Sequence, residues 1–460
     1  MMASLRTTLK DPELFQDKAY INGRWVSPSP TTFPVHNPAS SEVIGHVSNA
    51  TIERLDEAIQ AASDAFQTWR AYSGRQRARI LAQWARLIMA SQEDLGAIIT
   101  AENGKPRAEA DGEVAFAAGF FEWFAEEAPR LHGDVVPHSN AEARTTILRQ
   151  PVGVCGLITP WNFPLSMAAR KVSAALAAGC TAVLKSDGVA PFASNALAVL
   201  GERAGVPPGV FNVLPGLDNT PQLGLRLCES AAVKKISFTG STRVGKILMK
   251  QSSSTLKKLS LELGGNAPFI VFDDADMELA VQSAVIAKFK GSGQTCVCVN
   301  RFFVHENVYE KFSQALVAKV TTAKVGNGAD VLTTHGPMTT KAGVEKVQEH
   351  IEDALSKGAT LLLGGQRLDK ETQGNFHQLT ILGDANRTMK VFDEETFGPL
   401  AVLTKFSTED EVIAAANDVE LGLASYIMTN NLQRAHRVSE RLDYGMVAIN
   451  TGVMSDWSAP

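Results

Sequence analysis

Between Gly153 and Phe238 the chain repeats one pattern. A short apolar run, Gly153 to Ile158, is followed by a small-residue helical stretch, Ala168 to Ala178, that ends at Gly179. A second run at Thr181 to Leu184 leads to a helix from Phe192 to Gly205, then to runs at Val210 to Leu214 and Lys235 to Phe238. Apolar runs without polar alternation make strands buried on both faces. Strands separated by helices pair in parallel, with right-handed crossovers. The spacing predicts an α/β sheet with helices on both sides, and places ligands at the carboxyl ends of its strands.

The candidate dinucleotide-binding residues stand at those ends: Lys185 after one strand, Pro215 and Gly216 after another, and Thr239, Gly240 and Ser241 after a third. The stretch GSTRVG, Gly240 to Gly245, opens a helix whose first amides can meet a phosphate. The GxGxxG fingerprint is absent here, and many helices begin as this one does without a ligand.

The flanking segments supply the rest of the architecture. Residues 19 to 48 read as small hairpins, and the spacing from Leu55 to Trp69 and from Ile80 to Ile88 as amphipathic helices. Phe116, Phe120, Phe121 and Phe124 share a helix and read as core. Residues 131 to 150 form a polar hairpin suited to a subunit contact. After Glu262 the strand–helix pattern restarts, predicting a second α/β domain with the active site in the cleft between the two. A length of 460 residues accommodates two or three domains. The formal charge of −5 gives no sign of a nucleic-acid partner, and no apolar run reaches the ~18 residues of a spanning helix. Five cysteines suggest no disulfide framework, and Met1 to Phe15 lacks the apolar core of a signal peptide, so a cytoplasmic protein is expected.

Cys296, after a small-residue turn in FKGSGQTCVCVNR, is the candidate nucleophile. A helix terminus or a cation would lower its pKa from ~8.5, whereas a buried, inert cysteine is the ordinary fate of the residue. Cys298, two residues on, would share a strand face with it and is a candidate redox partner; no further Cys or His cluster supports a metal site. Glu262, between two leucines, suits a general base with a raised pKa, or equally a surface glutamate. Asn162, in PWNFP, can donate to an oxyanion or simply cap a turn. Glu395 can accept ribose hydroxyls.

Taken together, FTGS, LELGG, GQTCVC and EETFGP, in this order and spacing from about Tyr20 onward, resemble the aldehyde dehydrogenase superfamily. Ile158 to Lys171 and Phe289 to His305 are most similar to succinate-semialdehyde dehydrogenases and their broad-specificity relatives. The resemblance implies an aldehyde dehydrogenase-like α/β fold: a Rossmann-type NAD(P) domain (1–130 and 151–261), a catalytic domain (262–447) and a small β oligomerisation element (131–150 and 448–460). It also implies that this element continues beyond Pro460, so that it is incomplete here. The implied mechanism has Cys296 form a thiohemiacetal and then a thioester, Asn162 and the Cys296 amide hold the oxyanion, and Glu262 activate water. The cofactor residues it implies are Thr159, Pro160, Trp161, Lys185, Ser186, Gly216, Gly240, Ser241, Leu263, Glu395 and Phe397. No metal is implied, and the assembly is a homodimer or homotetramer.

Two departures bear on specificity. Gly188 replaces the glutamate common in NAD-preferring relatives, and Lys185 with Ser186 could receive a 2′-phosphate; NADP is favoured, unless Asp187 restores NAD. Of two arginines expected to bind a substrate carboxylate, Arg170 is present and Lys290 stands for the other, without the bidentate fork. Ser455 is a further substrate contact, and Trp457 an aromatic wall suited to a bulkier aldehyde. The expected reaction is oxidation of succinate semialdehyde; the alternatives are a broad-specificity aliphatic or aromatic aldehyde dehydrogenase and a catalytically silent, truncated homologue. Glu262 disfavours a coenzyme-A-acylating enzyme, which needs no hydrolytic base.

Overall fold

A computed structural model describes residues 5–26, 31–368 and 373–458. Two seven-stranded sheets form the frame. In the first the strands run in the order Lys258–Glu262, Val233–Thr239, Val154–Ile158, Thr181–Asp187, Phe211–Gly216, Tyr20–Ile21 and Arg24–Trp25. The first five are parallel, and the last two turn back as an antiparallel edge. Val154–Ile158 is buried along its whole length, as a central strand with helices on both faces requires. In the second sheet the order is Thr360–Leu363, Thr380–Gly383, Leu400–Phe406, Val299–His305, Ala267–Val271, Ala424–Met428 and Met446–Ile449, with only the first strand antiparallel.

The helices carry the expected apolar faces. Ile52–Trp69 buries Leu55, Ala58, Ile59, Ala62 and Trp69, and the Thr51 hydroxyl caps it by accepting from the Arg54 amide at 3.3 Å. Gly74–Ala90 starts from a reciprocal Ser73–Gln76 capping box. Arg107–Glu127 packs against both Gly74–Ala90 and Ser166–Ala177 and buries Phe120 and Phe121, each worth about 1.5–3 kcal/mol. The strands Asp134–Pro137 and Arg144–Ile147 pair only with each other, and Val135 and Leu148 are largely exposed. Among the described residues no helix is long and apolar enough to cross a membrane.

Two expected boundaries move. Glu262, expected to open the second half, ends the edge strand Lys258–Glu262 of the first sheet; polar and apolar residues alternate in that strand, so no apolar run announced it. The expected break at 447 falls inside Met446–Ile449, whose parallel pairing with Ala424–Met428 makes 448–449 part of the second sheet.

Candidate active site

The two sheets approach each other by opposite ends. The first presents residues at the carboxyl ends of its strands: Thr159 to Asn162, Lys185, Gly216, Gly240 and Glu262. The second presents residues ahead of its strands: Gly264 and Gly265 before Ala267–Val271, Cys296 before Val299–His305, and Phe397 before Leu400–Phe406. Contacts close the gap. The Asn162 side-chain amide donates to the Gln294 carbonyl at 2.9 Å, and Trp161 meets Phe397 edge to face at 5.7 Å. Within the first sheet the Gly240 amide donates to the Glu262 carbonyl at 3.0 Å, and Gly245 sits against Leu263.

The turn that presents Cys296 is unusual backbone. Gly291, Ser292 and Gly293 all have positive φ, and a Cβ on Gly293 would collide with the Gly398 carbonyl. The non-glycine member, Ser292, is held by its hydroxyl donating to the Gly336 carbonyl at 2.7 Å. Tyr426 donates to the Val297 carbonyl at 2.8 Å, pinning the turn from the far side. Cys296 itself is half-buried. Burial pushes its thiol up to about 12, the carboxylates of Glu395 and Glu262 push in the same direction, and Arg170 opposes them. A depression of this pKa, the outcome if a helix terminus or a cation governed it, is therefore not found: burial raises it most, the nearby carboxylates add to that, and the turn precedes a strand rather than a helix.

Glu262 is exposed, not enclosed by its leucine neighbours, because the sheet's edge strand alternates and points it outward. Glu395 is a half-buried carboxylate of the site. Burial raises it to about 7 against the pull of Lys346 and Lys288, and it lies so close to Gly264 that any side chain there would strike its Oε2. Lys346 Nζ donates to the Glu395 carbonyl at 2.5 Å, and Phe397 takes φ 53° two residues later. Cys298 is buried, with its Sγ donating to the Lys288 carbonyl at 3.4 Å. Both cysteines lie ahead of the strand, which starts at Val299, so strand alternation does not align them as expected. All five cysteines are free thiols.

Along the first sheet's edge, Lys185 is buried with its pKa lowered by desolvation, Asp187 opposing. A side chain at Gly216 would fill the space beside Lys185 Cε and meet Leu223 at 2.7 Å, and one at Gly240 would meet the Phe238 ring at 2.5 Å. Ser241 caps the helix Thr242–Ser252. The hydroxyls of Thr159, Ser186 and Thr239 are buried here without a hydrogen-bond partner. Bare glycine edges, a helix start and orphaned hydroxyls at strand ends fit a polar, phosphate-bearing dinucleotide. Ser186 does not join Lys185, since successive strand residues face opposite sides. Asp187 accepts from the Val189 amide at 2.9 Å. Gly188 is packed against Leu217, 2.6 Å from any added Cβ.

Arg170 lies over the Phe120 ring at 5.4 Å; Phe116 packs edge-on to Phe120 at 4.8 Å and lies 6.1 Å from Trp457. Two of the helix phenylalanines expected in the core thus help shape the approach to Arg170. Lys290 is exposed, and its charge acts on the half-buried Glu109 carboxyl, whose oxygens accept from the Gly291 amide. Ser455 is exposed in the last described segment. The sequence reading missed two lysines. Lys171 donates to Ser237 at 3.1 Å and is pushed down to about 8 by burial, with Glu262 opposing; Lys288 is fully buried and likewise pushed down to about 8 by burial. Their only sequence signal is a lysine inside an otherwise apolar helical spacing. Among the described residues no three His, Cys, Asp or Glu side chains gather as a metal site.

Comparison with known proteins shows the family. The model of the aldehyde dehydrogenase family matches residues 25–460. The NADP(+) succinate-semialdehyde dehydrogenase of Saccharomyces cerevisiae is 50% identical over 455 residues, covering 99% of this chain and 91% of that protein. A glutarate-semialdehyde dehydrogenase of Pseudomonas putida is 49% identical, covering 98% and 93%. The crystal structure of succinate-semialdehyde dehydrogenase from Burkholderia pseudomallei superposes with a TM-score of 0.97 at 49% identity, covering 98% and 93%. The chain therefore belongs to the aldehyde dehydrogenase family.

Proposed function

We propose that this chain oxidises an aldehyde carrying a distal carboxylate, succinate semialdehyde first among them, with NADP favoured over NAD. The observation that carries the reading is the link from the Asn162 amide through the Gln294 carbonyl to the Cys296 turn, with Arg170 near enough to act on the thiol. Because burial holds the Cys296 thiol protonated at neutral pH, its attack needs a base, and Glu262 stands at the open edge to serve it, either directly or through water. The thiolate adds to the carbonyl carbon. The Asn162 amide, which has a second N–H besides the one on Gln294, and the Cys296 backbone N–H receive the oxygen as charge develops there. NAD(P), when bound, supplies the hydride acceptor that turns this adduct into a thioester. Glu262, having released the thiol proton to solvent at its exposed edge, then takes a proton from the water that adds to the thioester, and the Cys296 sulfur leaves as the acid is released.

Thr159, Pro160, Trp161, Lys185, Gly216, Gly240, Ser241, Leu263, Glu395 and Phe397 would hold the dinucleotide. Lys185 supplies the cation for a 2′-phosphate, while the packing of Gly188 leaves no room for a competing carboxylate. Arg170 would orient the substrate carboxylate. The relatives named above act on ω-carboxylated aldehydes, which supports that assignment. The exposure of Lys290 and the wall of Phe116, Phe120 and Trp457 support a second reading, in which larger aromatic aldehydes are also taken.

The test is reduction of NADP and of NAD with succinate semialdehyde, butanal and benzaldehyde. Succinate semialdehyde is expected to exceed butanal in kcat/KM by about tenfold or more, and Arg170→Met to erase that preference. Equal rates for the charged and neutral aldehydes would overturn the substrate assignment, and a benzaldehyde rate above both would favour the second reading. As part of the same proposal, 1–130 with 151–261 bind the cofactor, 262 onward carries the catalysis, and the exposed hairpin at 131–150 joins subunits of a homodimer or homotetramer. The free thiols suit the cytoplasm.

A further inference from the structure

Behind the reaction centre lies a buried polar cluster that the proposed reaction leaves unused. Lys105 Nζ pairs with Glu113 Oε2 at 2.5 Å, and the two side chains are 3% and 0% exposed. Desolvating two charges is costly, and a well-packed apolar pair of similar volume would often serve stability as well. The remaining contacts of the pair show what it does instead. Lys105 Nζ also donates to the Asn162 carbonyl at 2.9 Å. Glu113 Oε1 accepts from the Leu165 amide at 3.0 Å and the Ser166 amide at 3.1 Å. The pair therefore grips both ends of the turn that carries Asn162. Two residues before Lys105, Asn103 Nδ2 donates to the Trp161 carbonyl at 3.1 Å. Asn103 also meets Thr339, whose amide donates to Gln294 Oε1 at 2.9 Å. One helical turn before Glu113, Glu109 accepts from the Gly291 amide. A single buried cluster thus fixes the backbone of both the Asn162 turn and the Cys296 turn.

We propose that Lys105 and Glu113 are positioning residues for acyl chemistry: they hold the 162–166 backbone so that the Asn162 amide faces the carbonyl oxygen that Cys296 attacks. This rests on the proposed roles of Cys296 and Asn162. The pair touches neither substrate nor thiol and acts only through Asn162, so its effect is confined to steps that develop an oxyanion.

Two reactions of the same thiol separate that effect from general damage, both on the full chain without cofactor. In acylation by p-nitrophenyl acetate, sulfur bonds to the carbonyl carbon, the π pair moves to oxygen as an oxyanion, and its collapse expels p-nitrophenolate. In alkylation by iodoacetamide, sulfur displaces iodide at a saturated carbon and no oxyanion forms. Lys105→Met is expected to slow acylation by about tenfold or more while alkylation stays within about twofold. In an Asn162→Ala background it is expected to slow acylation no further, because the two losses share one cause. Glu113→Gln and Asn103→Ala carry the same comparison if Lys105→Met does not fold. Equal slowing of both reactions, unchanged acylation, or additive losses in the double variant would overturn the proposal. Acylation that survives Cys296→Ala would overturn the reading of Cys296 itself, and this inference with it.

Discussion

The two sheets are alike in strand number and unlike in which end meets the chemistry. The first offers its carboxyl edge, where Lys185, Gly216 and Gly240 stand at strand ends that dictate their places. The second offers its amino edge, where Cys296 and Phe397 stand in turns before the strands begin. A carboxyl edge binds with backbone amides and bare glycines, so it is polar and largely preformed. The turns at the amino edge hold positive φ at Gly291, Ser292, Gly293 and Phe397; the glycines take it freely, whereas Ser292 and Phe397 need surrounding contacts to sustain it. In the proposed reading the first edge carries most of the cofactor contacts together with Asn162 and Glu262, and the second carries the nucleophile together with Glu395 and Phe397; the contrast can be broken at either edge.

The largest effect is expected at the amino edge. Cys296→Ala should lower turnover by roughly 10⁴-fold or more, measured as NADP reduction, while the intrinsic fluorescence change on NADP addition is kept. Loss of cofactor binding together with turnover would erase the proposed division of labour. Asn162→Ala, at the first sheet's carboxyl edge but facing the Cys296 turn, comes next, at about 10²–10³-fold in kcat with KM for cofactor little changed. At the carboxyl edge, Lys185→Met is expected to weaken NADP by roughly tenfold and NAD much less, read from titration of each dinucleotide; equal weakening would remove the 2′-phosphate from the account.

The smallest effect is electrostatic. Glu395 is raised to about 7 and helps hold the Cys296 thiol up. Below about pH 7 Glu395 is protonated and neutral, so wild type and Glu395→Gln should alkylate alike. As pH rises through 7 its carboxylate ionises, disfavours the thiolate and slows the wild type. Glu395→Gln should then react a few-fold faster with iodoacetamide. Identical pH profiles would show that burial alone sets the thiol.

The first edge was the easier to read in the sequence because its elements announce themselves. The apolar runs at 153–158, 181–184 and 210–214 became the strands Val154–Ile158, Thr181–Asp187 and Phe211–Gly216. Lys258–Glu262 and Met446–Ile449 escaped notice, being half-exposed edge strands whose pairing is supplied by neighbours distant in sequence. Cys296, Glu262 and Asn162 were legible as residues, but their environments were not. Glu262 between Leu261 and Leu263 reads equally as enclosed or as a surface glutamate, and the edge strand turns it outward.

By itself the sequence determined the α/β class, the parallel core and the family's motifs, since these depend on local periodicity and residue identity. Tertiary structure alone decided that Glu262 is exposed, that burial and neighbouring carboxylates push the Cys296 thiol up, and that Lys105 and Glu113 meet behind Asn162. Those outcomes depend on desolvation and on contacts between segments as far apart as Asn162 and Gln294, and no local pattern encodes either.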